Sequence, residues 1–165
     1  MPRPRRNWER QACYHITHRC HNREFRFRYE KYRRMYRRYL FEATRRFRFR
    51  VLTWIVTSNH VHVLATGIER EVPQISEALQ HVHGELAQHY NLARRCDGSL
   101  WSNRFHATRI QSGRHLARCM FYIDLNMVRA GVVAHPCDWE WGTWPELSVS
   151  VRRTPPVEGA GGGVR

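Results

Sequence analysis

Apolar side chains along residues 12–131 recur at a period of two in some segments and of three to four in others, and this alternation restricts the chain to a mixed α+β arrangement. Ala12 to Arg19 (ACYHITHR) alternates and is rich in β-formers, which predicts a first strand. From Tyr29 to Phe47 the period lengthens, and Tyr32, Met35, Tyr36, Tyr39, Leu40, Ala43 and Phe47 draw one stripe on a helix. Arg50 to Thr57 (RVLTWIVT) and His60 to Thr66 (HVHVLAT) are β-rich runs divided only by Ser58-Asn59, the pattern of a hairpin. A second helix opens after Pro73, with Ile75, Leu79, Val82, Leu86, Tyr90 and Ala93 on one face. Asn103 to Gln111 alternates again as a fourth strand. After Ser112-Gly113 a third helix buries Leu116, Cys119, Met120, Ile123 and Met127, and Gly131 ends it.

The order is β-α-β-β-α-β, the split βαβ arrangement of ferredoxin-like domains, with an additional helix after the last strand. The same topology carries RNA-binding modules, but their closely spaced strand aromatics are not seen here. A chain of 165 residues can bury a core without disulfide or zinc staples. Its five cysteines form no C-x-x-C pair, so they read as reduced thiols of a cytoplasmic protein, and no apolar run approaches membrane-spanning length. Residues 1–11 form a basic N-terminal arm, residues 1–147 one domain, and the Pro- and Gly-rich residues 148–165 a disordered tail.

Charge is concentrated at the start. Residues 1–50 hold sixteen Arg and one Lys against four Glu, so they carry +13 of the net +14. Each guanidinium is a bidentate fork for phosphate, and the asymmetry points to a nucleic-acid partner. An Arg-rich codon usage is the plainer source of the same bias, since Lys31 is the sole lysine. Arg3, Arg5 and Arg6 on the arm and Arg33, Arg37 and Arg38 on the first helix are the candidate contacts. On the helix, a solvated face explains the same residues equally well.

His60-Val61-His62 lies on a strand, where side chains two apart share a face, so two imidazoles stand side by side as ligands for a divalent metal. The tripeptide alone also arises by chance and packing. His81 and His83 lie on a helix, point about 200° apart and cannot share a metal, which makes them surface and rim histidines. On the third helix a polar line runs through His115, Arg118, Tyr122 and Asn126. A tyrosine can attack phosphorus when a cation stabilises its phenolate, and an amide oxygen four residues on can complete a ligand set. Tyr122 as a half-buried aromatic with a polar tip, and Arg129 as a helix C-terminal cation, are the alternatives.

The segments SNHVHVL (Ser58 to Leu64) and FYIDLNMVRAGVV (Phe121 to Val133) resemble the two signature blocks of the REP-associated tyrosine transposases, single-tyrosine members of the HUH nuclease superfamily. YHITHRCHNR (Tyr14 to Arg23), GSLWSNRFHATRI (Gly98 to Ile110) and DWEWGTW (Asp138 to Trp144) extend the resemblance over roughly residues 2–147. It implies a ferredoxin-like domain that cuts and rejoins single-stranded DNA beside hairpin-forming repeats. His60 and His62 would hold Mg²⁺ or Mn²⁺, Asn126 would supply a third ligand, and Tyr122 would be the nucleophile of a 5′-phosphotyrosine intermediate. Trp101, Arg104, His106 and Arg118 would then contact DNA by stacking, hydrogen bonding or charge; Trp101 is equally placed to be core. His15 and His18 fall on opposite faces of the first strand, and either could approach the metal. Relatives act as dimers in some branches and as monomers in the REP-associated one, so both states stay open. A non-catalytic protein that binds structured nucleic acid shares the same charge pattern. The family usually has Pro at the position of Met127, where it would bend or end the helix.

Overall fold

The computed structural model describes residues 6–68 and 72–147. Residues 1–5 of the basic arm, Arg3 and Arg5 among them, and the tail at 148–165 therefore lie outside the described residues. Four strands, β1 (Cys13–Arg19), β2 (Phe49–Val56), β3 (His60–Gly67) and β4 (His106–Ile110), form one sheet in the order β2-β3-β1-β4. Each neighbouring pair is antiparallel, as the ferredoxin-like arrangement requires. Helix α1 (Glu30–Arg46) connects β1 to β2, and α2 (Ile75–Arg94) connects β3 to β4. After β4 come α3 (Arg114–Asp124) and the short α4 (Asn126–Arg129).

Strand alternation sends two different sets of side chains to the two faces of the sheet. Tyr14 and Ile16 of β1 and Val61, Val63 and Ala65 of β3 join Tyr32, Tyr36 and Leu40 of α1 and Leu79, Val82 and Leu86 of α2 in the larger core. On the opposite face Leu64, Ile55 and Ile110 pack under Cys119, Ile123 and Met127 of α3 and α4. The sheet is thus covered on both sides, by the two crossover helices on one and by the tyrosine-bearing helix on the other. A bulge between Val51 and Thr53 shifts the β2–β3 register and accounts for the broken alternation of RVLTWIVT.

The fourth strand is shorter than Asn103 to Gln111. Phe105 turns into the larger core and regular pairing begins only at His106. The third helix is likewise not continuous to Gly131. Leu125, at φ −90° and ψ 9°, separates α3 from α4, so the chain breaks between Tyr122 and Asn126 although Met127 stands where proline would enforce a bend. Burial of Met127, 4% exposed in the second core, holds α4 onto the sheet instead. Beyond Gly131 the chain returns across β2, where Val56 N–H donates to Trp141 O (2.8 Å) and Trp139 Nε1 donates to Val56 O (3.0 Å). All five cysteines are free thiols, and no helix among the described residues is long and apolar enough to cross a membrane.

Candidate active site

β3 is an interior strand paired on both edges, so its backbone is fully engaged and His60 and His62 are presented from a rigid base. Their ring centroids are 4.8 Å apart on the α3 side, while Val61 and Val63 are fully buried behind them. Each imidazole has its Nδ1 engaged. His60 Nδ1 lies 2.9 Å from Thr57 Oγ1 and 2.7 Å from Asn59 Oδ1. His62 Nδ1 lies 2.9 Å from His15 Nε2 and 3.3 Å from Thr17 Oγ1. Such contacts set ring orientation and tautomer and leave Nε2 as the remaining ligand atom of each ring.

The break at Leu125 brings Asn126 over His62. Asn126 Nδ2 is 3.3 Å from His62 Nε2, and a self-consistent proton assignment has His62 donate from Nδ1 to His15 and accept from Asn126 at Nε2. The Tyr122 ring stands edge-on to His62 at 5.7 Å and to His15 at 6.0 Å between centroids. It is 42% exposed and has the Arg129 guanidinium 4.8 Å from its ring centroid. Cluster His60, His62, Asn126 and Tyr122 therefore draws on β3, α3 and α4, with Thr17 and His15 behind it on β1.

Burial depresses the histidines, with neighbouring positive groups adding to it. His60 is pushed down to about 4 by desolvation and by Arg19, and His62 to about 2 by desolvation, His60, His15 and Arg19. His15 is lowered by burial and then by His106. At neutral pH these rings are uncharged and carry lone pairs. Among the described residues no three His, Cys, Asp or Glu side chains are arranged to hold a metal. The residues that would hold a hard divalent ion here are His60 and His62 through Nε2 and, after a flip of its amide, Asn126 through its oxygen. Two neutral imidazoles oriented through Nδ1 beside a carboxamide fit such an ion.

The remaining sites anticipated from the sequence are distributed differently. Trp101 is a core residue: it is 7% exposed, stacks on His18 at 4.4 Å with 7° between planes, and donates from Nε1 to His83 O. His83 is no rim histidine either. At 5% exposure it packs against His18 and Tyr36. Arg33 is half-buried, because its guanidinium donates to Phe27 O (2.6 Å) and Arg28 O and lies over Trp139. Arg37 stays exposed but pairs with Glu146, and Arg38 pairs with Glu42. Arg6 donates to Phe105 O and lies 3.9 Å from that ring's centroid. Arg104, His106 and Arg118 are exposed. His106 is opposite Thr17, itself opposite His62, so it borders the cluster. His15 and Thr17 could be selected only once that register was known.

Comparison with known proteins gives this arrangement its context. The sequence profile of the family described as "Transposase IS200 like" matches residues 9–126, from ahead of β1 to Asn126. The chain belongs to the IS200-like transposase family. A REP-associated tyrosine transposase solved bound to a REP hairpin superposes with a TM-score of 0.74 at 22% identity, covering 100% of this chain and 98% of that one. At that identity the likeness establishes the ferredoxin-like fold with its added helix. A putative transposase from Deinococcus radiodurans matches at a TM-score of 0.43 and 12% identity, over 79% of this chain and 98% of that one. No curated protein sequence matches the chain significantly.

Proposed function

We propose that this IS200-like transposase is a metal-dependent single-stranded DNA endonuclease and strand transferase acting on hairpin-forming repeats of the REP type, with Tyr122 as its nucleophile. The observation that carries the reading is the convergence of Tyr122, His62 and Asn126 from three elements, with Arg129 over the tyrosine ring. A structural relative bound to a REP hairpin supports hairpin DNA as the partner class.

Mg²⁺ or Mn²⁺ held by His60, His62 and Asn126 would supply polarisation of the scissile phosphate. The Tyr122 oxygen attacks the phosphorus, the P–O3′ bond breaks, and the 3′ oxygen leaves as a hydroxyl after gaining the proton that the phenol has given up. The product is a 5′-phosphotyrosine, whose attack by a second 3′-OH restores the phenol and rejoins a strand with no external energy source. Arg129 places positive charge where the phosphate must approach, and partial exposure of Tyr122 leaves room for that approach. His15 and Thr17 act on His62, holding its ring so that Nε2 points toward Asn126.

The test is incubation of wild type, Tyr122→Phe and His62→Ala with labelled single-stranded repeat DNA and Mn²⁺, read on a denaturing gel. A DNA–protein adduct and nicked product in wild type alone is the expected result. Cleavage that survives Tyr122→Phe would assign the chemistry to water, and tight binding without adduct or nick would leave a non-catalytic DNA-binding protein.

A further inference from the structure

A second concave site lies on the far side of the sheet from Tyr122. Between α2 and the segment leading into β4 is a recess of about 380 Å³, with Trp101, His83 and Phe105 as aromatic walls and Ser76, Gln80 and Arg104 among its polar lining. Its floor is rigid, because His18 Nδ1 contacts His83 Nδ1 (2.9 Å) and His18 Nε2 contacts Asn103 O (2.8 Å). Gly84 borders the recess from the middle of α2, a position where glycine is the poorest helix former short of proline. Among the described residues a Cβ there would meet nothing within 4 Å, so the position opens onto the recess.

A cationic rim adjoins the recess. Arg6 lies over Phe105, and its Nη1 is buried with no hydrogen-bond partner among the described residues. The Arg6 guanidinium is lowered by burial and then by the charge of Arg104. With Arg104 on the recess lining and the Arg6 guanidinium over Phe105, two positive groups flank the recess, the charge a phosphate would meet. The two faces are linked by one step of chain. β4 is an edge strand, Phe105 faces the recess, and the next residue, His106, stands across from Thr17 on the Tyr122 side.

We propose that the recess takes one unpaired nucleobase of the DNA strand, seated between Phe105 and Gly84, with its phosphate on Arg6 and Arg104, while the strand passes around the β4 edge toward Tyr122. This rests on the reading of the chain as a single-strand DNA enzyme and deepens it. Every base offers a π-face to such walls, and the Gln80 amide at the mouth can read a base edge.

The experiment measures fluorescence anisotropy of the full chain with labelled single-stranded DNA from its own genomic flanks, scanning abasic substitutions one position at a time. One abasic position should weaken binding about tenfold, the order of a lost base–aromatic stack. Gly84→Leu, which fills the recess and favours helix, should lose the same factor and make that abasic position silent; Arg104→Gln should weaken binding and flatten its salt dependence. Wild-type affinity in folded Gly84→Leu, losses that simply multiply, or no affinity for the strand would each overturn the proposal. Coupled losses in a chain that forms no phosphotyrosine adduct would sustain the recess and sink the transferase reading. An adduct without coupled losses would do the reverse.

Discussion

Acid should unfold this domain well before its carboxylates titrate, because several histidines are buried in their neutral form. His18 is pushed down to about 4 by desolvation, against hydrogen bonds that it makes to the backbone of Asn103 and Ser102, which raise it, and with Arg6 adding to the depression. His60 is likewise near 4 and His62 near 2. A depressed histidine binds its proton more readily in the unfolded chain, so its contribution to stability is complete above about pH 6.5 and declines as pH falls toward the folded value. At pH 5.5 each of the three contributes on the order of 1 kcal/mol less than at pH 7.5, or a few kcal/mol together. That compares with a total of about 5–15 kcal/mol for a typical domain. Asp124, raised by burial, works in the opposite direction and at lower pH. Urea unfolding of metal-free protein at pH 7.5, 6.5 and 5.5, followed by tryptophan fluorescence, should show the midpoint falling steadily at constant m-value. A midpoint unchanged down to pH 5.5 would refute the reasoning, and a His18→Gln variant should flatten the slope.

Other consequences are more local. Arg33→Gln should cost about 1–3 kcal/mol of stability by thermal or urea unfolding, because a charged donor leaves the carbonyls of Phe27 and Arg28; the same change at Arg38, on an exposed pair, should stay within about 0.5 kcal/mol. Ile123→Ala removes a fully buried side chain under α3 and should cost about 2–5 kcal/mol. Hydrogen exchange should then rise in α3 before the crossover helices. His15→Ala should weaken Mn²⁺ binding by about 10–100-fold in calorimetric titration through loss of the contact to His62 Nδ1, with the fold retained by circular dichroism. Tyr122→Phe should leave hairpin affinity within about twofold by anisotropy while abolishing the adduct, since only the hydroxyl is lost from a partly exposed ring.

The order of elements and the shared face of His60 and His62 were legible in the amino-acid sequence, because periods of two and of three to four are properties of local backbone geometry, whereas Tyr122 and Asn126, expected on one helix, stand on two and meet at His62. Local geometry could not choose between His15 and His18. Both lie on β1, and only the register that sets Thr17 opposite His62 puts His15 on the Tyr122 side and His18 in the aromatic core. Arg33 and Trp101 carry the composition of a nucleic-acid surface, yet packing withdrew one onto backbone carbonyls and enclosed the other. The interruption at Leu125 has no proline to announce it and follows from seating Met127 in the second core. What the sequence determined by itself is which groups can share a strand or helix face, a matter of bonds a few residues apart. Which of those faces meet, and so which histidine backs His62 and which arginines remain at the surface, was decided by the tertiary structure, because burial and cross-strand pairing join residues with no fixed spacing along the chain.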